Sequence, residues 1–247
     1  MTRIFILFSI AILFSLSFSC KEKEIIVETA KTLKLTVHPK YGSEYLSLDS
    51  VYTTQEGYEV QFTDVKFYFE NIRNGATQLV DAALFDYKER GTAFLNVEGD
   101  VANFYSLQAN LGVDSAVNHQ DPSVFPTNSM LNIVNANDMH WGWNPGYIFV
   151  KIEAKVDTIP DATLNLSHNV VFHVGLDQNM ETIAFPSVNW VPNGPQHFSP
   201  IYVDMKLFLE QPNAINLKNE YSTHSGAGEE LLTTKVIANF KNALTIH

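Results

Sequence analysis

Apolar residues recur at every second position along much of this chain. Leu33, Leu35 and Val37 share one parity while Lys34, Thr36 and His38 share the other, which is the pattern of a strand with one buried face. Between Tyr58 and Phe69 the parity switches: Tyr58, Val60 and Phe62 form one set, and Val65, Phe67 and Phe69 the other. One extra residue near Thr63-Asp64 reconciles the two sets and predicts a β-bulge. Further strands are expected around 79–86, 92–97, 103–112, 147–155, 169–175 and 201–209. The last of these alternates without exception, with Ile201, Val203, Met205, Leu207 and Leu209 on one side. Helical periodicity is confined to 229–243, and two stretches, 114–143 and 186–200, have no period. The first of these is too long for a plain connection. Short strands, turn signals and long irregular segments predict an all-β fold, an antiparallel β-sandwich with long loops at one end.

Composition supports a folded domain. The chain has 247 residues, 45% apolar and 12% aromatic, enough for a substantial core and too apolar for disorder. With 27 acidic against 16 basic residues the formal charge is −11, which argues against a face that tracks nucleic-acid phosphates.

The N-terminus reads as an address. Arg3, the apolar run Ile4 to Phe14 and the small residues before Cys20 are the parts of a signal peptide over residues 1–19. Cys20, the single cysteine, stands where a bacterial lipoprotein carries its lipid, and residues 20–31 read as a charged tether to a domain over 32–247. The expectation is a membrane-anchored outer membrane lipoprotein of the cell envelope, periplasmic or surface-exposed. Removal of Arg3 leaves 15 basic residues against 27 acids, or −12. With Cys20 acylated, no thiol is left for disulfides, catalysis or zinc.

No catalytic signature stands out. The eight histidines form no His-x-His, His-x3-His or His-Glu-x-x-His pattern, and there is no nucleophile elbow or phosphate-binding glycine loop. The expectation is a protein that is not an enzyme. The densest unusual segment is Met139-His140-Trp141-Gly142-Trp143-Asn144-Pro145-Gly146-Tyr147, read either as core packing around a turn or as part of a site.

At this point the chain resembles the MbnP-like family of exported copper-binding proteins associated with methanobactin. Four pieces carry the resemblance: Leu33 to Gly42 (LKLTVHPKYG), Val60 to Ile72 (VQFTDVKFYFENI), Leu111 to Ser115 (LGVDS) and Met139 to Glu153 (MHWGWNPGYIFVKIE). Phe172-His173-Val174-Gly175 fits the family's His-x-Gly strand. The resemblance implies an extracytoplasmic β-sandwich that binds one copper ion through histidines, and a tryptophan oxidised to kynurenine by a di-haem MauG-like partner protein. On the matching positions it implies His38 and His173 as imidazole ligands and Trp141 or Trp143 as the modified or site-lining residue. His140 stands where relatives often have phenylalanine and is a further candidate ligand, and so is His224. Asp114 would either orient a ligand or cap a loop.

Copper suits this reading, since imidazole binds it well and it heads the divalent stability order. The expected function is therefore copper acquisition or handling. The competing expectation keeps the fold without the metal and has Trp141, Trp143, Trp190 and Tyr147 form an aromatic surface for a glycan or protein ligand.

Overall fold

The computed structural model describes residues 31–142, 145–161 and 163–246, so that Cys20, the leader and Trp143 lie outside the described residues. The strands in chain order are β1 (Thr32–Tyr41), β2 (Glu44–Tyr45), β3 (Tyr52–Thr53), β4 (Glu59–Asn74), β5 (Thr77–Asp86), β6 (Ala93–Glu98) and β7 (Leu107–Leu111). They continue with β8 (Ile148–Asp157), β9 (His168–Gly175), β10 (Glu181–Phe185), β11 (Val191–Asn193), β12 (Gln196–Asp204), β13 (Ser222–Thr223) and β14 (Leu244–Ile246).

Two sheets share one core. The first has the order β11-β12-β1-β2 with β14 and β6 at its margins, and the second runs β10-β7-β4-β8-β9-β13 with β3 and β5 against β4. Leu33, Leu35 and Val37 of β1 face Val65, Phe67 and Phe69 of β4, Val150 and Ile152 of β8 and Phe172 and Val174 of β9. The shift in parity along β4 is a bulge, for the register with β8 slips between Phe62 and Asp64, as the alternation predicts.

The architecture is the expected β-sandwich, but its sheets are mixed. β1 pairs with β12 in parallel from Thr32↔Gln196 to Lys40↔Asp204, and β13 pairs with β9 in parallel. The strand expected over 201–209 ends at Asp204, and Met205–Glu210 is a helix. Asp204 caps it by accepting from the Lys206 and Leu207 amides, and Met205, Phe208 and Leu209 are buried at helical spacing. The segment 186–200 is not wholly irregular either, because β11 and the start of β12 form a hairpin through Asn193↔Gln196. The helix expected over 229–243 spans Glu230–Ala243 and sends Val236 and Phe240 into the core.

The long polar segment after β7 folds back over the outer face of the second sheet. There Tyr68, Ala82, Leu84, Val113, Leu131, Met139, Tyr147 and Phe149 make a second apolar cluster, separate from the main core. Tyr68 Oη of β4 donates to the Met130 carbonyl at 3.0 Å and Tyr147 Oη, just before β8, to the Leu131 carbonyl, so two tyrosines hold the segment down. Among the described residues no helix is long and apolar enough to cross a membrane.

Candidate metal centre

The outer face of β9 carries the candidate site. Val170, Phe172 and Val174 point into the core, which by alternation sends Val171, His173 and Gly175 to the other side. β13 lies beside β9 with Thr223↔Phe172 in register, and His224 follows it at once. The rings of His173 and His224 meet edge to face with centroids 5.0 Å apart. The turn that presents His224 is tied down by Glu229, whose Oε2 accepts from the amides of His224 and Gly226, each at 2.8 Å. Ser225 adds a link, accepting from the Gly175 amide at 3.1 Å.

Trp141 completes the group. A Cβ on Gly175 would lie 2.6 Å from Trp141 Cζ3, so the indole rests on the glycine two residues beyond His173, on the same face. The covering segment is shaped for this by Gly146, whose φ of +76° and closeness to Asn118 leave no space for a side chain.

Beside the imidazoles lies a covered ionic cluster. Lys151 Nζ is 3.3 Å from Glu153 Oε1 and 3.2 Å from Asp64 Oδ2, and it donates to Asp138. Lys66 Nζ donates to Asp138 at 2.8 Å and lies 3.1 Å from Asp86 and 3.4 Å from Asp64. Two ammonium groups face four carboxylates, which leaves a negative surplus next to the imidazoles and favours a cation there. Asp64 Oδ1 has no hydrogen-bond partner, and burial pushes this carboxyl up more than the two lysines lower it.

The site's tautomer follows from its partners. Glu153 Oε1 lies 2.9 Å from His173 Nε2. Burial raises the Glu153 carboxyl, but the His173 hydrogen bond and the Lys151 ammonium outweigh it and hold the group below its ordinary value. An ionised carboxylate can only accept, so His173 Nε2 carries the proton and Nδ1 the lone pair. Burial also lowers the His173 imidazole, against the pull of Glu153, which keeps it neutral at pH 7.

The donor set fits copper through two imidazoles. Nitrogen–metal bonds are about 2 Å, so two rings that share an ion have centroids at most about 6 Å apart, and the His173–His224 spacing of 5.0 Å satisfies this. Among the described residues no group of three His, Cys, Asp or Glu is arranged to hold a metal.

The other expected residues fall elsewhere. His38 sits on the first sheet and faces away from the shared core, as His173 does from the second, so the two rings point to opposite sides of the sandwich. His38 bonds Thr36 Oγ1 at 3.0 Å and packs against Tyr45 and Tyr202. His140 Nδ1 accepts from the Gly142 amide at 3.0 Å, which places any proton on Nε2, and that atom is buried without a partner against Tyr147. Neither nitrogen offers a free lone pair. Asp114 caps the helix Ser115–Asn118 by accepting from Ala116, and the carboxylate on His173 is Glu153 instead. Among the described residues the expected aromatic surface is not assembled: Tyr147 is fully buried, and Trp190 packs on the core while donating to the Phe104 carbonyl at 2.7 Å. Sequence reasoning did not single out Glu153, Lys151 or Asp138. The one signal was the charged pair Lys151 and Glu153 set between the apolar Val150, Ile152 and Ala154 of a predicted strand.

A family model described as MbnP matches residues 30–225, most of the chain. The chain belongs to the MbnP family. That match includes β9, Trp141 and His224, the elements that build the site. Among solved structures, MbnP from Methylosinus trichosporium is similar at 13% identity, with 76% of this chain and 78% of that one covered and a TM-score of 0.46. No curated protein matches this MbnP-family chain.

Proposed function

We propose that this MbnP-family protein is an extracytoplasmic copper-binding lipoprotein that acts in copper acquisition or handling and turns over no substrate. The observation that carries the reading is the His173–His224 pair, 5.0 Å between ring centroids, beside the Trp141 indole on a face with surplus negative charge. His173 and His224 would hold the ion, with His224 in the place that the sequence resemblance gave to His38. Copper here is cargo, and the protein supplies nitrogen donors, a fixed tautomer and a negative surround.

Anchoring through Cys20 would keep the domain at the membrane and in the cell envelope, where an outer membrane location brings it to incoming metal. The family resemblance also implies a di-haem MauG-like partner, and Trp141, next to the imidazoles, is the indole for it to oxidise. Peptide mass spectrometry of native material tests that step, with a net gain of one oxygen and a net loss of one carbon expected on the indole.

Copper titration of the purified mature chain tests the main reading. One ion per chain is expected, lost in the double variant His173→Ala, His224→Ala and kept in His38→Ala. A wild-type protein that retains no copper after dialysis would sink it.

A further inference from the structure

A closed circuit of contacts joins the imidazole pair to the segment that carries Trp141. Glu153 Oε1 holds His173 at 2.9 Å and Lys151 at 3.3 Å. Lys151 in turn donates to Asp138, whose other oxygen accepts from Lys66 at 2.8 Å. Asp138 lies three residues before Trp141, and the Trp141 ring returns to β9 at Gly175.

The burial of the partners gives the circuit its direction. The Lys66 and Lys151 side chains are 4% and 8% exposed, so neither ammonium reaches water without giving up its carboxylates. The Asp138 side chain is 47% exposed, and its backbone belongs to the covering segment. The other two acids of that segment, Asp114 and Asp121, are used as caps within it. Asp138 is thus the one carboxylate that the described part of the segment lends to the sheet.

We infer that Glu153 and Asp138 are positioning residues of the imidazole–indole site. Glu153 fixes His173 with its lone pair on Nδ1, and Asp138, through the buried lysines, pins the Trp141 segment to the face that carries His173. In its bearing on copper this rests on the function proposed above, while the tautomer and the pinning belong to the metal-free protein. Carboxylate–imidazole pairs of this kind orient a ligand and raise its basicity, and their loss commonly weakens metal binding about 10- to 100-fold.

Nitrogen-15 spectra of the imidazoles in the metal-free mature chain test the first half. His173, assigned by comparison with His173→Gln, is expected to carry its proton on Nε2. Glu153→Gln, which keeps an acceptor oxygen, should preserve that state, whereas Glu153→Leu should give a mixture and weaken copper binding at least about tenfold. Hydrogen exchange tests the second half: amides of 133–142 should open faster in Asp138→Asn than in wild type, with Asp138→Glu closer to wild type. A proton on Nδ1 in the wild-type protein, or unchanged exchange in Asp138→Asn, overturns the corresponding assignment. If Glu153→Leu does not fold, the wild-type tautomer and Glu153→Gln still decide. A wild type that takes up no copper ends the copper reading alone, because these spectra and exchange rates are read without metal.

Discussion

Gly175 sets how closely the indole approaches the sheet. A methyl group there would meet both Trp141 Cζ3 at 2.6 Å and the Tyr147 carbonyl at 2.7 Å. A backbone carbonyl yields less readily than a side chain, so the indole is the group displaced. Gly175→Ala is therefore expected to cost about 1–3 kcal/mol in urea unfolding and to shift tryptophan emission to the red as Trp141 is displaced. Unchanged emission would mean that the ring does not rest on this glycine. His173 was legible in the sequence because the family motif marks it. His38 carried that mark and strand parity as well, and parity alone does not say which sheet a strand joins. His224 had little to mark it, since its place depends on β13 lying parallel to β9 some fifty residues away in sequence.

At the scale of elements, regular alternation served well where both neighbours of a strand are strands, and misled where a strand turns into a helix. Ile201 and Val203 alternate as β12, but Met205, Leu207 and Leu209 continue the same parity in a helix, where Met205 and Leu209 are also one turn apart and so share a face. The deciding residue is Asp204, whose Oδ1 accepts from Lys206 at 3.0 Å, Leu207 at 3.3 Å and the Gly42 amide at 3.0 Å. Asp204→Ala should lower stability by about 2 kcal/mol, through the lost cap and a Gly42 amide left unpaired. Because this helix adjoins the first sheet, copper uptake per folded chain should stay as in wild type. A loss of binding at equal fold would place the site elsewhere. The covering segment was legible only as a long polar stretch. Asp64 and Lys66 lie opposite Glu153 and Lys151 in the register of β4 with β8, and it is the segment laid over them that makes them a covered cluster.

For the molecule as a whole, this cluster ties stability to pH. The Asp138 carboxyl, raised by burial but lowered further by hydrogen bonds from Lys151 and Lys66, is held down at about 2, and Glu153 also lies below its ordinary value. Both are more acidic folded than unfolded, so their contribution is full above about pH 5 and drains away as pH falls through 4 toward 2. Asp64, raised by burial, acts in the opposite sense and blunts the loss. Urea unfolding from pH 6 to pH 2 should show this decline, with a shallower slope in Asp138→Asn and a weaker effect in high salt, since the Asp138 side chain is 47% exposed. Equal slopes in the two proteins would remove Asp138 from the account.

The parallel pairing of β1 with β12 also has a mechanical meaning. β1 is the first described strand, and it is flanked on one side by β12 along nearly its whole length and on the other by β6 and β2. Tension entering at residue 31 runs along the strand, across the direction of its hydrogen bonds, so the rungs resist together instead of tearing one by one. Under the proposed anchoring through Cys20 the domain would be held by rungs loaded together, and the His173–His224 face, on the opposite sheet, would stay out of the load path.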